Sequence, residues 1–212
     1  AALQTYGIAF VGGDTTQGPL SITLTIHGVA PHNKAVKRSG AKAGDIIWVS
    51  GELAAAALAV NYLHDTPCSS AEMSILLDKL QHPIPRIDLA PLLQRFATSA
   101  IDISDGLSAD LQHICNASGV GALLNLNAIP IHPLVKKYLG KNALDLALNG
   151  GDDYELCFTI PLQEQANFVE ALTAHHLVCY PIGVIEKELG MRAYHDASQD
   201  IKPLIPNGYR HF

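Results

Sequence analysis

Asp102 and Asp105 stand three positions apart in the stretch SAIDISDGLSADL, with Ser104 between them, where an apolar alternating run gives way to helical spacing. Two carboxylates about 4 Å apart repel by about 1 kcal/mol in water and by about 4 kcal/mol at an effective dielectric of 20. A divalent cation removes that penalty. Hard oxygen donors suit Mg2+, which binds through a few carboxylates and keeps positions for phosphate oxygens. A helix cap would account for Asp105 alone, since Gly106 lets the chain turn and a helix begins near Leu107. It would leave Asp102 unexplained. Asp110, further along that helix, reads as an ordinary surface charge.

Two further corners pair glycine with acid. In FVGGDTTQGP, Gly12 and Gly13 free the backbone for close approach and Asp14 follows at once; this is either a common turn between strands or a seat for a phosphate and its metal. No G-K-[ST] follows, so it is not a P-loop. In LNGGDDYELCF, Asp152 and Asp153 adjoin, with Glu155 two beyond. Solvation would explain two of those charges, whereas three such corners together point to a shared cation and polyphosphate site. Arg38, in a glycine-bearing connector, offers a forked donor set suited to phosphate or is an exposed linker charge.

Elements must carry these corners. Residues 7–11 read as a short buried strand, and 20–30 as a half-buried one, because Ile22, Leu24 and Ile26 alternate with polar residues. The run DIIWVSG predicts a strand leading into an alanine-rich helix over about 53–63, and 71–80 predicts another helix. Pro83, Pro85 and Pro91 break the next stretch. A helix over 91–96, a strand over 99–103, a helix over 107–117 with Leu107, Leu111 and Ile114 on one face, and a strand over 121–127 follow. Two short helices, a strand ending at Ile160, a helix within 162–176 and two late strands complete the chain. The mixture predicts an α+β or layered α/β fold, with a boundary that makes 1–29 the last strands of one domain and 30–212 a second.

The 212 residues are 48% hydrophobic and 16% charged, enough for a proper core. A net charge of -6 with no long basic run argues against nucleic acid. The longest apolar run, 53–60, is too short to cross a bilayer and no export signal stands at the start, so a cytoplasmic protein is expected. Cys68, Cys115, Cys157 and Cys179 form no CxxC and read as reduced core thiols. The chain lacks an initiator Met and opens like the tail of a helix, which predicts a fragment.

Taken in order, GGDTTQGPLSITLTIHG, RSGAKAGDIIWVSG, SAIDISDGLSADLQHI, GGDDYELCFT and GYRHF resemble the thiamine-monophosphate kinase family, in the superfamily of aminoimidazole ribonucleotide synthetase and selenophosphate synthetase. The resemblance runs over essentially the whole chain. It implies the C-terminal domain of that fold plus the last strands of the N-terminal one, and ATP- and Mg2+-dependent phosphorylation of thiamine phosphate to thiamine diphosphate by in-line γ-phosphoryl transfer. It implies Asp14, Asp102 and Asp105 as Mg2+ ligands, Gly13, Arg38 and Ser104 on ATP, and Asp152 and Tyr209 at the substrate. The family commonly has Glu at the Asp152 position and an aromatic residue at that of Pro206, for which Tyr209 compensates. It also implies a homodimer formed through an N-terminal domain that supplies further metal ligands, so that these residues alone are expected to be inactive. The rivals are a superfamily ATP-dependent ligase or selenophosphate synthetase, and a non-catalytic nucleotide-binding module; DISDGL with DYEL favours the kinase.

Overall fold

The computed structural model describes residues 2–32, 34–64, 67–196 and 200–209. Arg210, His211 and Phe212, the end of the GYRHF motif, lie outside the described residues. The chain divides into two compact units, 1–31 and 32–212. In the first, α1 (Ala2–Thr5) is followed by backbone without regular structure. The strands expected over 7–11 and 20–30 are absent there: Leu20, Ile22, Leu24 and Ile26 are all at least 76% exposed. Alternation makes a segment fit for a sheet, but a strand exists only through a ladder. Among the described residues this segment has none.

The second unit opens with β1 (Ile46–Val49), α2 (Ala55–Asn61), α3 (Ser70–Gln81), α4 (Ala90–Phe96), β2 (Ser99–Asp102) and α5 (Leu107–Ser118). It continues with β3 (Gly121–Asn125), α6 (Pro133–Leu139), α7 (Ala143–Asn149), β4 (Leu156–Ile160), α8 (Gln165–Ala174), β5 (Tyr180–Glu186), β6 (Gly190–Tyr194) and β7 (Lys202–Pro203). The strands form one sheet in the order β2-β4-β1-β5-β3-β6-β7, antiparallel except for the β3–β6 pair. Pro181 donates nothing to a ladder, and it sits where the β1–β5 register slips between Ile47 and Trp48, the sort of irregularity that tolerates proline inside a sheet.

Helices cover both faces. Ile47, Val49, Ile101 and Ile103 pack into a cluster with Leu58, Leu76, Leu107, Leu111 and Ile114, whereas Trp48, Phe158 and Ile160 turn to the other face against Leu92, Phe96, Phe168 and Leu172. That double burial is why IIWV reads as an unbroken apolar run and why LCFTI is apolar but for Thr159, which is buried and hydrogen-bonded to Ser99. Helix α3 is fixed by a capping box in which Ser69 and Glu72 satisfy each other's backbone N–H. Phe168 stands edge-on to Trp48, Phe96 and Phe158, with centroids at 5.3, 5.8 and 5.7 Å. Phe168→Ala is therefore expected to cost about 3–5 kcal/mol, read as a lowered urea midpoint with unchanged slope. Among the described residues no helix is long and apolar enough to cross a membrane.

Candidate functional site

The pairing of β2 with β4 brings Asp102 opposite Leu156, so the acidic end of one strand meets the stretch that follows the Gly150–Gly151 corner. Beyond the regular ladder the two segments stay joined. Ile103 N donates to Glu155 O at 2.7 Å, Tyr154 N to Ile103 O at 2.8 Å, and Asp152 N to Ser104 O at 2.9 Å. Glycine makes this approach possible: a Cβ on Gly106 would lie 2.9 Å from Asn149 C, and one on Gly151 would collide with Ser104 O. Asp152 and Tyr154 themselves take left-handed backbone, with φ of 66° and 50°. The C-terminal stretch closes the same corner, Tyr209 N donating to Asp105 O at 2.9 Å.

Ser104, Asp105, Asp152, Tyr154 and Tyr209 consequently line one cleft of about 660 Å³. Asp102 stands exposed at the end of β2 beside it. The Tyr154 phenol measures how the carboxylates gather. It is pushed above the usual tyrosine range first by burial, then by the charge of Asp152 and Asp102, by its hydrogen bond to Asp152, and by the charge of Asp105. Three carboxylates thus act on one hydroxyl. Arg38 is exposed on a strip that runs along β2, where the neighbouring Lys37 O accepts from Ala100 N at 2.9 Å, and it is not among the residues lining the cleft. Gly13 and Asp14 belong to the first unit, in which the Asp14 carboxylate accepts from Thr15 N at 2.8 Å.

Among the described residues no group of three or more His, Cys, Asp or Glu side chains is arranged to hold a metal ion. The donors at the end of β2 are a pair of carboxylates, not a protein cage. That set fits a magnesium ion, which needs one or two carboxylates and completes its octahedron with phosphate oxygens and water.

The other acids of these corners have different tasks. Glu155 is a strut: its Oε2 is 2.6 Å from Arg86 Nε and 2.5 Å from Ser50 Oγ, and its Oε1 pairs with Arg86 Nη2. A second cleft of about 340 Å³ surrounds this pair, whose charges satisfy each other. Asp153 turns inward, both oxygens 2.9 Å from Ala54 N at the start of α2, where Ala54 is left-handed at φ 75°. Burial pushes its carboxyl up to about 7, against the lowering effect of the Ala54 N–H and with help from the charges of Glu155 and Asp152. A carboxyl raised in the folded state favours folding while protonated. That stabilisation is complete below the unfolded value near 4 and is lost as pH rises through about 7. Asp153→Asn is expected to raise the melting temperature at pH 8 by about 2–4 °C and to leave it unchanged at pH 4, checked by calorimetry at both values.

Two readings of the loop at the start of α5 are corrected. Asp105 does not cap the helix; Gly106 occupies the cap position at φ 122° with no side-chain hydrogen bond. Asp110 is not a surface charge. It is 3% exposed, and its Oδ2 accepts from Ser104 N, Asp105 N and Gly106 N at 3.0, 3.0 and 3.2 Å. The signal was present in the helical period, because position 110 falls between Leu107 and Ile114 on the buried stripe.

Helices on both faces of this mixed sheet, with glycine–acid corners meeting at one of its ends, define a class of protein. The family model described as AIR synthase related protein, C-terminal domain, matches residues 42–196, and the chain belongs to that family. Within it, the chain is similar to thiamine-monophosphate kinases. The enzyme of that name from Salmonella typhimurium (strain LT2) is 45% identical over 164 residues, covering 76% of this chain and 50% of that one. The crystal structure of thiamine-monophosphate kinase from Stenotrophomonas maltophilia K279a superposes with a TM-score of 0.71 at 36% identity, over 79% of this chain and 54% of that one. A structure described as AaThiL complexed with AMPPCP and TMP gives 0.69 at 32%, over 84% and 54%. The chain spans about half the length of the curated relatives it matches.

Proposed function

We propose that the protein phosphorylates thiamine phosphate to thiamine diphosphate, using ATP and Mg2+. The observation that carries this reading is the backbone junction of two glycine–acid corners, which gathers Ser104, Asp105, Asp152 and Tyr209 on one cleft. Support comes from a relative solved with AMPPCP, an ATP analogue with a methylene bridge, together with TMP. In the proposed assignment Asp14, Asp102 and Asp105 hold magnesium, Gly13, Arg38 and Ser104 contact ATP, and Asp152 and Tyr209 contact the acceptor. The cation supplies neutralisation of the triphosphate charge. The protein's own task is positioning: phosphoryl transfer involves little covalent work for side chains and depends on alignment and charge.

In the transfer itself an oxygen of the acceptor's phosphate forms a bond to the γ-phosphorus, the bond from that phosphorus to the β–γ bridging oxygen breaks, and ADP leaves with the electron pair. No proton need be removed from the nucleophile, because a phosphate monoester is already anionic at neutral pH. That relieves the site of a general base and agrees with a cleft whose ionisable lining is Asp105, Asp152, Tyr154 and Tyr209. We further propose that the protein is cytoplasmic and acts as a homodimer.

A coupled ADP assay on the full-length protein tests the acceptor. Turnover with thiamine phosphate and none with thiamine supports the reading. ADP formation with an amidine or selenide acceptor instead would favour the ligase or selenophosphate synthetase rivals, and nucleotide binding without turnover the non-catalytic module.

A further inference from the structure

The loop that carries Ser104 and Asp105 is held from both sides. Its carbonyls are engaged by the other corners, Ser104 O by Asp152 N and Asp105 O by Tyr209 N, both at 2.9 Å. Its three successive N–H groups, Ser104, Asp105 and Gly106, all converge on Asp110 Oδ2. Successive amides turned toward one point form a concave anion seat, the arrangement by which many loops cradle phosphate directly. Here the seat is filled by the protein's own buried carboxylate. The loop therefore has no backbone donor left to offer an incoming phosphate at these positions, and the residues it contributes to the cleft lining are Ser104 and Asp105, with Asp102 alongside. Carboxylates repel a bare phosphate.

We propose that Asp110 is the positioning residue of this site: by occupying the three N–H groups it fixes the direction in which Ser104 and Asp105 project, and it makes nucleotide binding at the loop depend on a divalent cation. The proposal rests on the reading that Asp102 and Asp105 hold magnesium. It concerns an interaction one step removed from the metal, where substitutions typically cost about 10–100-fold in affinity or activity.

The test compares the full-length wild type with Asp110→Ala and Asp110→Asn. Alanine removes the acceptor, whereas asparagine can keep one carbonyl oxygen where Oδ2 sits but accepts more weakly than a charged group. Calorimetric titration with ATP, with and without Mg2+, gives the metal-dependent affinity, and hydrogen exchange reports amides 104–106. In Asp110→Ala these amides are expected to exchange faster and MgATP affinity to fall by about 10–100-fold. Asp110→Asn is expected to lose about 3–10-fold, the halving in strength between charged and neutral acceptors being shared over three bonds. Should the alanine variant not fold, the asparagine variant decides, with loss supporting the proposal and unchanged affinity overturning it. Unchanged MgATP affinity in a folded Asp110→Ala protein overturns it as well, as does wild-type ATP binding of equal strength without the cation. Because the readout is affinity, a wild type that binds MgATP but makes no thiamine diphosphate would contradict the proposed function while leaving this test intact.

Discussion

Replacing Asp105 with Asn is expected to lower turnover by about 10²–10³-fold while leaving the fold in place. The change keeps shape and removes one negative charge from a pair whose purpose, on the proposed reading, is to offset the charge of magnesium beside a triphosphate. Asp102→Asn should behave alike, because Asp102, beside the cleft, and Asp105, in its lining, both act on the Tyr154 phenol. Asp102 is exposed and Asp105 only half-buried, so neither substitution opens a cavity in the core. Melting temperatures within about 2 °C of the wild type are expected, consistent with surface substitutions away from packing features. The deciding measurement pairs kcat with the magnesium dependence of ATP affinity. Lost affinity with an intact fold is the expected result; full turnover in both variants would show that these carboxylates do not carry the metal.

A large effect on stability is also expected at Arg86. Glu155 immediately precedes β4, its side chain only 10% exposed, and Arg86 supplies both its neutralising charge and two of its hydrogen bonds. Arg86→Met leaves that carboxylate buried with Ser50 Oγ as its remaining side-chain donor. Breaking a buried pair from one side costs about 3–5 kcal/mol, and partial exposure of the guanidinium places this case near the lower end. For a chain of this size that is about 6–12 °C in melting temperature. The double variant Arg86→Met, Glu155→Leu removes both charges and is expected to recover most of the loss, since replacing a buried pair by apolar residues is often neutral. Gly51 sharpens the point: a Cβ there would come within 2.7 Å of both Glu155 and Arg86, so the pair is packed as well as charged.

How far these features were legible depends on the range of the interaction that creates them. Local patterns sufficed for β1, whose Ile47, Trp48 and Val49 face both layers, and for α3, expected over 71–80 and found over Ser70–Gln81. They sufficed also for the expectation that acids gather beside glycines, because a tight turn and a carboxylate are both written in a few residues. What they could not supply was partnership. Residues 20–30 alternate as a strand should, yet alternation says nothing of whether a neighbour is there to bond with. Arg86 and Glu155 are 69 positions apart, and no spacing rule connects them. The junction of Ser104 with Asp152 depends on β2 lying next to β4, a choice made by the whole sheet. Asp110 differs: its charge alone points to the surface, whereas its phase on a buried helical stripe signals a bonded partner.

The most direct measurement of the central claim follows the phosphorus. Full-length protein is incubated with thiamine phosphate, Mg2+ and ATP labelled at the γ-phosphate, and the products are separated. The label is expected in the terminal phosphate of thiamine diphosphate, in equal amount to the ADP formed, and omitting Mg2+ is expected to abolish both. Label recovered only as inorganic phosphate, or transfer that proceeds unchanged without the cation, would contradict it.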